Sequence, residues 1–405
     1  MNRCCRLCKH DNLTDVLNLG SHPISHRLLK SIDHDEYIHP VNLCYCKECG
    51  LLQLTDPIPS EKLYSTYNWL SSWKPNPQIP GVLSLIKELP GINKSSKIIE
   101  IGSNDGSFLN DLRKLGFQNI YGIEPSSDGV ASAVQNGIDT LPGYFTNKTA
   151  LSIAQEKGRP DLIISRHVLE HVQDLILFIE GIQTLLKEDG YILIEVPDTD
   201  FILEEMDYSQ IWEEHTNYFS LKTLNRYLSQ IGISQVYSGK VQFSGQSLIY
   251  IGKRQKNYPV TQPDLSKQTQ KVLQFKEQWP DFKDGVQIYL DGFKKKNKKI
   301  AVYGAGCRAC SLINFTGISK YIDFIVDDQP EKLNSFLPGS KLPILDRSAL
   351  ISNPIDLCLL AVNAENNEKV IKNNLYFIKN GGQFVPILPQ SSDLPCFWTS
   401  LKRVF

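Results

Sequence analysis

The segment IWEEHTNYFS, residues 211 to 220, concentrates side chains that can move protons. It places His215 directly after two carboxylates, Glu213 and Glu214, with Trp212 and Tyr218 close by. A neutral imidazole accepts a proton near pH 7, and an adjacent carboxylate can orient it. The alternative is a packed or surface histidine beside a solvated acidic face, although such faces rarely carry so many aromatic residues. The residues alone therefore leave a proton-transfer site and a structural histidine open.

Four cysteines form two close pairs in the N-terminal region, Cys5-x-x-Cys8 and Cys46-x-x-Cys49. Two CxxC turns can present four thiolates to one tetrahedral Zn²⁺ ion, with metal–sulfur distances of about 2.3 Å. The alternatives are reduced core cysteines or a redox-active pair. Nothing in the spacing suggests an exchangeable coordination position, so the sequence predicts a closed, structural zinc site.

A glycine-rich turn follows the apolar run KIIEI and reads ExGxxxG over residues 100 to 106. Acids inside this turn disfavour the pyrophosphate of a dinucleotide, whereas S-adenosylmethionine (SAM) contains a ribose and an amino acid but no phosphate. An acid ends the next apolar run, where it can accept hydrogen bonds from both ribose hydroxyls. This spacing is typical of class I methyltransferases, and the later segment SRHVLEHV fits the same class. The predicted SAM contacts are Glu100, Gly102, Asn104, Asp105, Gly106, Glu124, Arg166 and His167.

Composition and hydropathy patterns change along the 405-residue chain and predict an α/β protein of three domains. Residues 1–75 are rich in cysteine and proline, with short alternating runs, and predict a small zinc-binding domain. Residues 76–256 alternate apolar runs with helical periods, as a class I, Rossmann-like SAM methyltransferase domain requires. Residues 257–296 predict a polar helical linker whose basic run KKKNKK forms a solvated end. Residues 297–405 repeat the α/β rhythm and predict a second Rossmann-like domain.

Charge and hydropathy argue against two classes of partner. Forty-three basic and 44 acidic residues give a formal net charge of -1 at pH 7, which disfavours nucleic acid and anionic membrane as binding partners. The first residues, MNRCCRLCKH, lack the apolar stretch of a signal peptide, and no run reaches the roughly 18 apolar residues of a membrane span. We therefore expect a cytoplasmic monomer, and a non-enzymatic zinc-ribbon module that binds nucleic acid is disfavoured.

The motifs in their order resemble the three-domain C-methyltransferases that act on nucleotide-linked keto-deoxysugars. The matching stretches span nearly the whole chain and read CKECGLLQL, YNWLSS, IEIGSNDGSFL, IEVPD, EEHTNYFSL, SGQSLIYI and VYGAG. This resemblance implies SAM in the middle domain, structural zinc in the N-terminal domain, and a sugar nucleotide where the domains meet. It also implies an enzyme that methylates C3' of a 4-keto-deoxysugar linked to dTDP.

The resemblance assigns roles to the segment at residues 211 to 220. The E-H pair of the family falls on Glu214 and His215, so His215 is the expected general base for a proton next to a ketone. Glu214 would orient that imidazole or bind sugar. The family has a tyrosine three positions before the histidine, where this chain has Trp212, and Tyr218 is the candidate substitute. We place Trp212 and Asn217 among the substrate contacts.

Two further stretches carry predicted contacts by the same resemblance. YNWLSS places Tyr67, Ser71 and Ser72 beside SAM or the substrate. Beyond these residues the family continues with a histidine, whereas this chain continues with WKPNPQIPG. SGQSL, residues 244–248, places Ser247 in the floor of the sugar site, unless the segment is a strand edge without function.

The C-terminal domain begins with KIAVYGAGCRA, residues 299–309, which has the GxGxxA spacing of a dinucleotide fingerprint. On spacing alone, an NAD-dependent nucleotide-sugar oxidoreductase is therefore an alternative. A SAM methyltransferase with another small-molecule acceptor is a second alternative. The resemblance instead implies a substrate-binding domain without NAD, in which Arg308 and Lys332 contact the diphosphate of the sugar nucleotide.

Overall fold

The computed structural model describes residues 3–63, 76–260, 262–389 and 394–401. Three β-sheets organise this part of the chain, with four, seven and six strands. The predicted contacts Tyr67, Ser71 and Ser72 lie outside the described residues. None of the described helices combines the length and the apolar character that crossing a bilayer requires.

The N-terminal region is built on antiparallel strands. Its elements are β1 (Leu13–Pro23), β2 (Ile38–Cys46), β3 (Leu52–Leu54) and the short helix α1 (Ser60–Leu63). β2 pairs with β1 on one side and with β3 on the other. The turn after β2 is tight, because Gly50 adopts a positive φ of 80° and donates its N–H to the Cys46 carbonyl. One predicted cysteine pair therefore lies at the end of β2 and in the turn that follows it.

The middle region alternates helices and strands, as its sequence predicts. In chain order its elements are α2 (Ile79–Glu88), β4 (Ile98–Ile101), α3 (Ser107–Lys114), β5 (Ile120–Glu124), α4 (Ser127–Gln135), β6 (Thr140–Pro142), α5 (Asn147–Glu156), β7 (Leu162–Arg166), α6 (Leu175–Leu185), β8 (Tyr191–Pro197), α7 (Thr199–Glu204), β9 (Asn217–Tyr218), α8 (Leu221–Ser229), β10 (Ile233–Gln242) and β11 (Gln246–Arg254). Short 3-10 turns occupy Leu169–His171 and Tyr208–Gln210.

The seven-stranded sheet of this region has the order β10-β11-β8-β7-β4-β5-β6. β4 to β8 pair in parallel, whereas β11 joins β8 and β10 joins β11 in antiparallel fashion. The parallel strands are short apolar runs, which suits strands that helices cover on both faces. In such a doubly wound sheet, ligands bind at the carboxyl ends of the strands, where the strand order reverses beside β4.

The strand β9 leaves the middle region and completes the N-terminal sheet. Tyr218 pairs with Leu52 and Asn217 pairs with Gln53, so the order of the four-stranded sheet is β1-β2-β3-β9. The segment at residues 211 to 220 therefore runs from the methyltransferase sheet to the N-terminal sheet. This connection is set by tertiary pairing and has no signal in the local sequence.

The C-terminal region contains the third sheet and a long helix before it. Its elements are α9 (Ser266–Lys294), β12 (Ile300–Tyr303), α10 (Cys307–Thr316), β13 (Phe324–Val326), β14 (Ser335–Phe336), β15 (Pro343–Leu345), α11 (Ala349–Ser352), β16 (Leu357–Leu360), α12 (Asn367–Asn373), α13 (Leu375–Lys379), β17 (Gln383–Pro386) and α14 (Cys396–Thr399), with 3-10 turns at Ile318–Tyr321, Pro330–Lys332 and Ala364–Asn366. The sheet order is β14-β15-β13-β12-β16-β17, and only β14 pairs antiparallel among its described strands.

The helix α9 is a core element as well as a connection. Its buried side chains include Val272, Phe275, Phe282, Val286 and Leu290, which form one apolar stripe. This stripe belongs to the same hydrophobic cluster as residues of β1, β2 and the C-terminal sheet. The sequence predicted a polar helical linker because most residues of this segment are polar. The packing of the helix is instead decided by the spacing of its few apolar residues. The basic run after α9 is exposed.

Candidate active site

The four predicted zinc ligands converge. The Sγ atoms of Cys5, Cys8, Cys46 and Cys49 lie within 4.8 Å of one another, and two of the separations, Cys5 to Cys49 and Cys8 to Cys46, are 3.5 Å. These separations exceed the S–S bond of a disulfide, about 2.05 Å, and match the edge of a tetrahedron whose metal–sulfur distances are about 2.3 Å. The donor set therefore fits a closed zinc site that ties the N-terminal CxxC turn to the end of β2.

The glycine-rich turn after β4 closely approaches the segment after β7. Gly102 and Gly106 have positive φ values of 71° and 72°, a region that L side chains rarely adopt. A Cβ atom on Gly102 would lie 2.3 Å from Cγ2 of Val168. The missing side chain therefore lets the two segments meet at the carboxyl edge of the sheet.

Glu124 ends β5 and faces this turn. Its carboxylate accepts hydrogen bonds from the backbone N–H groups of Asn104 and Ser126, each at 2.8 Å. Burial raises the pKa of Glu124, and these two N–H groups oppose the rise. The Ser126 hydroxyl also donates to this carboxylate, whose about four lone-pair sites leave acceptor capacity for a ligand hydroxyl group. This arrangement fits the ribose of SAM.

A buried charge network lies at the carboxyl ends of β4, β7 and β8. Arg166 donates to Glu195 at 2.8 Å and approaches Glu100 at 3.6 Å. Burial raises the pKa of Glu100 to about 8, although Arg166 opposes the rise. Burial would also raise the pKa of Glu195, but His167 and Arg166 outweigh it and lower the value to about 2. Sequence reasoning gave Glu195 no role, although a single acid inside the apolar run YILIEVP could have revealed it.

His167 lies between two acids of this network. Its Nε2 is 3.2 Å from Glu195 and its Nδ1 is 3.3 Å from Glu170. Burial disfavours the charged ring, yet the charges of Glu195 and Glu170 raise the pKa of His167 to about 9. The imidazolium form is therefore present near pH 7.

His215 is buried, with 5% of its surface exposed. Its ring packs on that of Trp212, with centroids 3.8 Å apart. Burial, together with the nearby rings of His171 and His167, lowers the pKa of His215 well below its ordinary value. Its Nδ1 has no hydrogen-bond partner among the described residues. The imidazole is therefore neutral near pH 7, which is the form that accepts a proton.

The two acids before His215 contact residues that the sequence did not single out. Glu213 accepts hydrogen bonds from the N–H and the hydroxyl of Ser25, at 2.5 and 3.0 Å. Glu214 meets Nδ1 of His26 at 2.6 Å. The sequence predicted that Glu214 orients His215 or binds sugar, whereas among the described residues its carboxylate binds His26. Ser25 and His26 carried no sequence signal, because only the tertiary fold brings them here.

Glu170 and His171 complete the surroundings of His215. His171 donates its Nδ1 hydrogen to the carbonyl of Glu214 at 2.9 Å. The rings of His171 and His215 lie 4.9 Å apart, and polar atoms of Glu170, His171 and His215 all lie within 4.8 Å of one another. His171 was not among the predicted contacts, although it belongs to the segment SRHVLEHV that supplied His167.

The remaining predicted substrate contacts of the middle region are buried. The Tyr218 hydroxyl accepts the backbone N–H of Trp212 at 3.3 Å, and burial raises the pKa of Tyr218. The Asn217 amide donates to the carbonyl of Val172 at 2.6 Å. Ser247 pairs across the sheet with the end of β8, and its hydroxyl has no hydrogen-bond partner among the described residues. Trp212, Asn217 and Tyr218 thus share one short segment, and Ser247 lies on β11.

The two predicted phosphate contacts already have anionic partners. Arg308 lies at the start of α10 and pairs with Asp207 at 2.7 Å, while its guanidinium also donates to Ser209 at 3.0 Å. Lys332 pairs with Asp327 at 3.0 Å. Arg308 therefore ties the C-terminal domain to the 3-10 turn just before the His215 segment. The charge of Arg308 is therefore already compensated by Asp207.

Three known families match successive parts of the chain. The family described as "Putative zinc binding domain" matches residues 5–64. "Methyltransferase domain" matches residues 79–237, and "C-methyltransferase C-terminal domain" matches residues 263–389. The three matches follow the order of the three sheets along the chain.

One relative aligns along almost the full chain. C-methyltransferase NovU of Streptomyces niveus is 26% identical over 402 residues, which is 95% of this chain and 95% of that relative. Ubiquinone biosynthesis O-methyltransferase of Bradyrhizobium diazoefficiens is 24% identical over 98 residues, which is 24% of this chain and 38% of that relative.

Solved structures of methyltransferases align with less than half of the chain. A SAM-dependent methyltransferase from Anabaena variabilis has a TM-score of 0.37 and 17% identity, covering 48% of this chain and 91% of that one. Magnesium protoporphyrin IX methyltransferase from Synechocystis, solved with bound SAM, has a TM-score of 0.33 and 16% identity, covering 44% and 78%.

The methyltransferase family match and the doubly wound sheet with its glycine-rich turn define a SAM-dependent methyltransferase of class I. The chain is a SAM-dependent C-methyltransferase that matches, in order, a zinc-binding family, a methyltransferase family and a C-methyltransferase C-terminal family, and it is similar to NovU along 95% of its length. SAM is the cofactor, and the four-cysteine cluster is a structural zinc site. The predicted family, fold class and cofactors are confirmed.

Proposed function

We propose that this C-methyltransferase acts on a nucleotide-linked sugar, at the carbon next to a keto group. The proposed substrate is a 4-keto-deoxysugar linked to dTDP, and the proposed position is C3'. The observation that carries the proposal is His215, which is buried and neutral in a turn beside the carboxyl edge of the methyltransferase sheet. The family resemblance of the sequence motifs supports the sugar nucleotide.

In the proposed reaction, His215 removes a proton from the carbon next to the ketone. The electron pair of that C–H bond becomes the enolate, whose carbon forms the new bond to the methyl group. When bound, SAM would supply this electrophilic methyl group, whose bond to the sulfonium sulfur would break as the new carbon–carbon bond forms, leaving S-adenosylhomocysteine. Positioned proton transfer of this kind contributes about 10²- to 10⁴-fold to the rate. The low pKa of His215 keeps the ring unprotonated, so the base is available at neutral pH.

For the cofactor, we propose that Glu124 binds the ribose hydroxyls and that the turn at residues 100–106 lines the site. Glu124 has acceptor capacity, because two backbone N–H groups and the Ser126 hydroxyl do not fill the about four lone-pair sites of a carboxylate. Arg166 and His167 hold Glu195 and Glu170 in the buried network. We therefore propose that these two cations shape the wall of the cofactor site.

For the substrate, we propose that Trp212, Asn217, Tyr218 and Ser247 line the sugar side of His215. The orphan hydroxyl of Ser247 supports this role, because a buried hydroxyl without a partner is costly unless a ligand satisfies it. Lys332 is the proposed diphosphate contact. Arg308 fits an anchoring role better, because exchanging its buried partner Asp207 for a phosphate would leave that acid unpaired.

The proposed domains are residues 1–75, 76–256 and 297–405, with residues 257–296 as the helical connection. The three sheets support this division, although β9 of the middle domain completes the N-terminal sheet. The sugar nucleotide is proposed to lie where the three domains meet, because the Asp207–Arg308 pair joins the C-terminal domain to the turn before the His215 segment.

Solvent deuterium exchange tests the proposal. Candidate 4-keto sugar nucleotides are incubated with the protein in heavy water, with and without SAM, and the exchanging carbon is identified by NMR. We expect exchange at C3' that requires His215 and is followed by methylation at C3' when SAM is present. Exchange at no carbon, or equal exchange with His215→Asn, would contradict the proposed chemistry. Titration with NAD is the control for the oxidoreductase alternative, and we expect no binding.

A further inference from the structure

The loop between β1 and β2, residues 24–37, joins the N-terminal sheet to the C-terminal domain. Leu29 exchanges two backbone hydrogen bonds with Phe336 of β14, at 2.9 and 2.8 Å. Further along, the Glu36 carboxylate accepts the N–H of Gly339 at 2.8 Å. The 24–37 loop is therefore held at two places by a domain more than two hundred residues away in sequence.

From this anchored loop, Ser25 and His26 reach the two acids before His215. The Nδ1 atom of His26 lies 2.6 Å from the Glu214 carboxylate, and the two side chains are 16% and 6% exposed. Ser25 holds Glu213 through both its N–H and its hydroxyl. Two consecutive residues thus bind two consecutive acids, which fixes the peptide in both position and register.

The charges of this contact agree with an ion pair. Burial disfavours the charged form of His26, but the hydrogen bond to Glu214 and the charges of Glu214 and Glu213 raise its pKa overall, with Arg27 opposing them. Burial disfavours the charged form of Glu214, but His26 outweighs it, His171 adds to the effect, and the pKa of Glu214 falls. For Glu213, burial and the charge of Glu214 raise the pKa to about 7. The acid with the imidazole partner is therefore the one that stays ionised.

We propose that His26 is a positioning residue of the active site: it holds the Glu214 carboxylate and thereby fixes the peptide that carries His215. This inference rests on the proposed role of His215 as the base. Glu214 is held on two sides, because its carbonyl accepts the Nδ1 hydrogen of His171 at 2.9 Å while its carboxylate binds His26. Without His26 the backbone before His215 can shift, and a shift of about 1 Å at a reacting group costs about 10²-fold in rate.

The proposal gives the zinc-binding domain a part in catalysis. Its 24–37 loop supplies the imidazole, and the C-terminal domain fixes the loop. The Ser25 hydroxyl also lies 3.3 Å from that of Ser311 in α10, so all three domains meet within this contact. Correct docking of the domains is therefore needed to place His215.

Two variants and one matched control test the role. His26→Ala removes the contact, and His26→Gln keeps a hydrogen-bond donor without the charge. His22→Gln is the control, because His22 lies on the preceding strand and contacts the Leu19 carbonyl and Phe315 instead. We expect kcat of His26→Ala to fall about 10²-fold. We expect KM for the sugar nucleotide, SAM affinity and all constants of His22→Gln to stay at wild-type values.

The pH profile separates positioning by charge from simple packing. The ion pair is complete between the lowered pKa of Glu214 and the raised pKa of His26, and it is lost as pH rises through the pKa of His26. In a plot of kcat against pH, the wild-type protein should therefore show a decrease on the alkaline side that His26→Gln lacks. A profile of His26→Gln that is parallel to the wild-type profile would overturn the role of the charge.

A double-mutant cycle with Glu214→Gln tests whether His26 acts through Glu214. If it does, the double variant loses no more rate than the more damaged single variant. If the loss of kcat in the double variant equals the product of the two single losses, the proposal is overturned. It is also overturned if both His26 variants keep a kcat within about twofold of that of His22→Gln. If melting curves show that His26→Ala does not fold, His26→Gln and the cycle decide.

Failure of the proposed function would give a different pattern. In that case the wild-type protein does not exchange the hydrogen next to the ketone in heavy water. If only the role of His26 is wrong, the wild-type protein exchanges this hydrogen, His215→Asn does not, and the His26 variants exchange it at the wild-type rate.

Discussion

The methyltransferase and C-terminal domains both contain a strand, a glycine-rich turn and a helix in succession, and both place an acid at the end of the next strand. In the methyltransferase domain that acid is Glu124, whose described partners are two backbone N–H groups and the Ser126 hydroxyl. In the C-terminal domain it is Asp327, which accepts the N–H of Ala305 at 2.8 Å and also binds the Lys332 ammonium group. The acid of one turn is thus ready for hydroxyl groups, whereas the acid of the other is neutralised.

The difference shows that the partner of the acid matters more than the spacing of the glycines. The C-terminal turn has the better GxGxxA fingerprint, yet its acid is already bound by a lysine. All eight histidines of the chain precede residue 216, so the C-terminal domain also has no imidazole. Of these two domains, only the methyltransferase domain therefore carries imidazoles, the side chains suited to proton transfer near pH 7.

The largest expected effect comes from removing the base. His215→Asn keeps a polar side chain but cannot take the proton, so we expect kcat to fall about 10²- to 10⁴-fold while SAM affinity is unchanged. Methyl transfer from labelled SAM and calorimetric titration measure the two quantities. His39→Asn is the control, because His39 lies on β2 and contacts the Asp56 carbonyl. Joint loss of activity and SAM affinity would instead indicate a structural histidine.

A matched pair of acid variants tests the comparison itself. Glu124→Ala should weaken SAM binding about 10- to 100-fold, because hydrogen bonds to a charged acceptor contribute about 1.5–3 kcal/mol. Asp327→Ala should leave SAM affinity unchanged and lower the melting temperature, because Lys332 loses its partner. Calorimetry and thermal melting of both variants provide the measurements. Equal SAM affinities for wild type and Glu124→Ala would remove Glu124 from the ribose.

The smallest expected effect concerns the glycines of the two turns. Gly106 has a φ of 72°, and a Cβ there would lie 3.0 Å from Ile138. Gly106→Ala should therefore lower the free energy of unfolding by about 1–2 kcal/mol. Gly306 has a φ of -94°, and a Cβ there would meet no atom within 4 Å, so Gly306→Ala should change stability by less than about 0.5 kcal/mol. Denaturant titration of both variants decides, and equal losses would mean that the two turns carry the same constraint.

Local features of the sequence predicted the sheets and the metal site. Apolar runs alternating with helical periods are short-range properties, and they indicated the doubly wound sheet of the middle region. The two CxxC pairs indicated four converging thiolates, because each pair needs only one turn of chain to present its sulfurs. The glycine-rich turn could also be recognised from the sequence, because the positive φ at Gly102 and Gly106 favours glycine at these positions.

Contacts between distant segments could not be predicted in the same way. His26 reaches Glu214 across 188 residues, and Arg308 reaches Asp207 across 101. In both cases each residue alone resembles an ordinary surface side chain, and only the assembled fold defines the partner. The role predicted for Glu214 followed its neighbour in sequence, whereas the structure pairs its carboxylate with a residue of another domain.

The pairing of β9 with β3 has a practical consequence for protein engineering. A fragment that ends near residue 75 would lack the fourth strand of its own sheet and would expose the edge of β3, which invites association with other chains. A chimera that takes its metal-binding module from a relative should therefore also take the residues at the positions of Asn217 and Tyr218 from that relative, or carry residues there that pair with its β3. The solubility of such a chimera would depend on these two residues, although they lie far in sequence from the point where the two parent chains are joined.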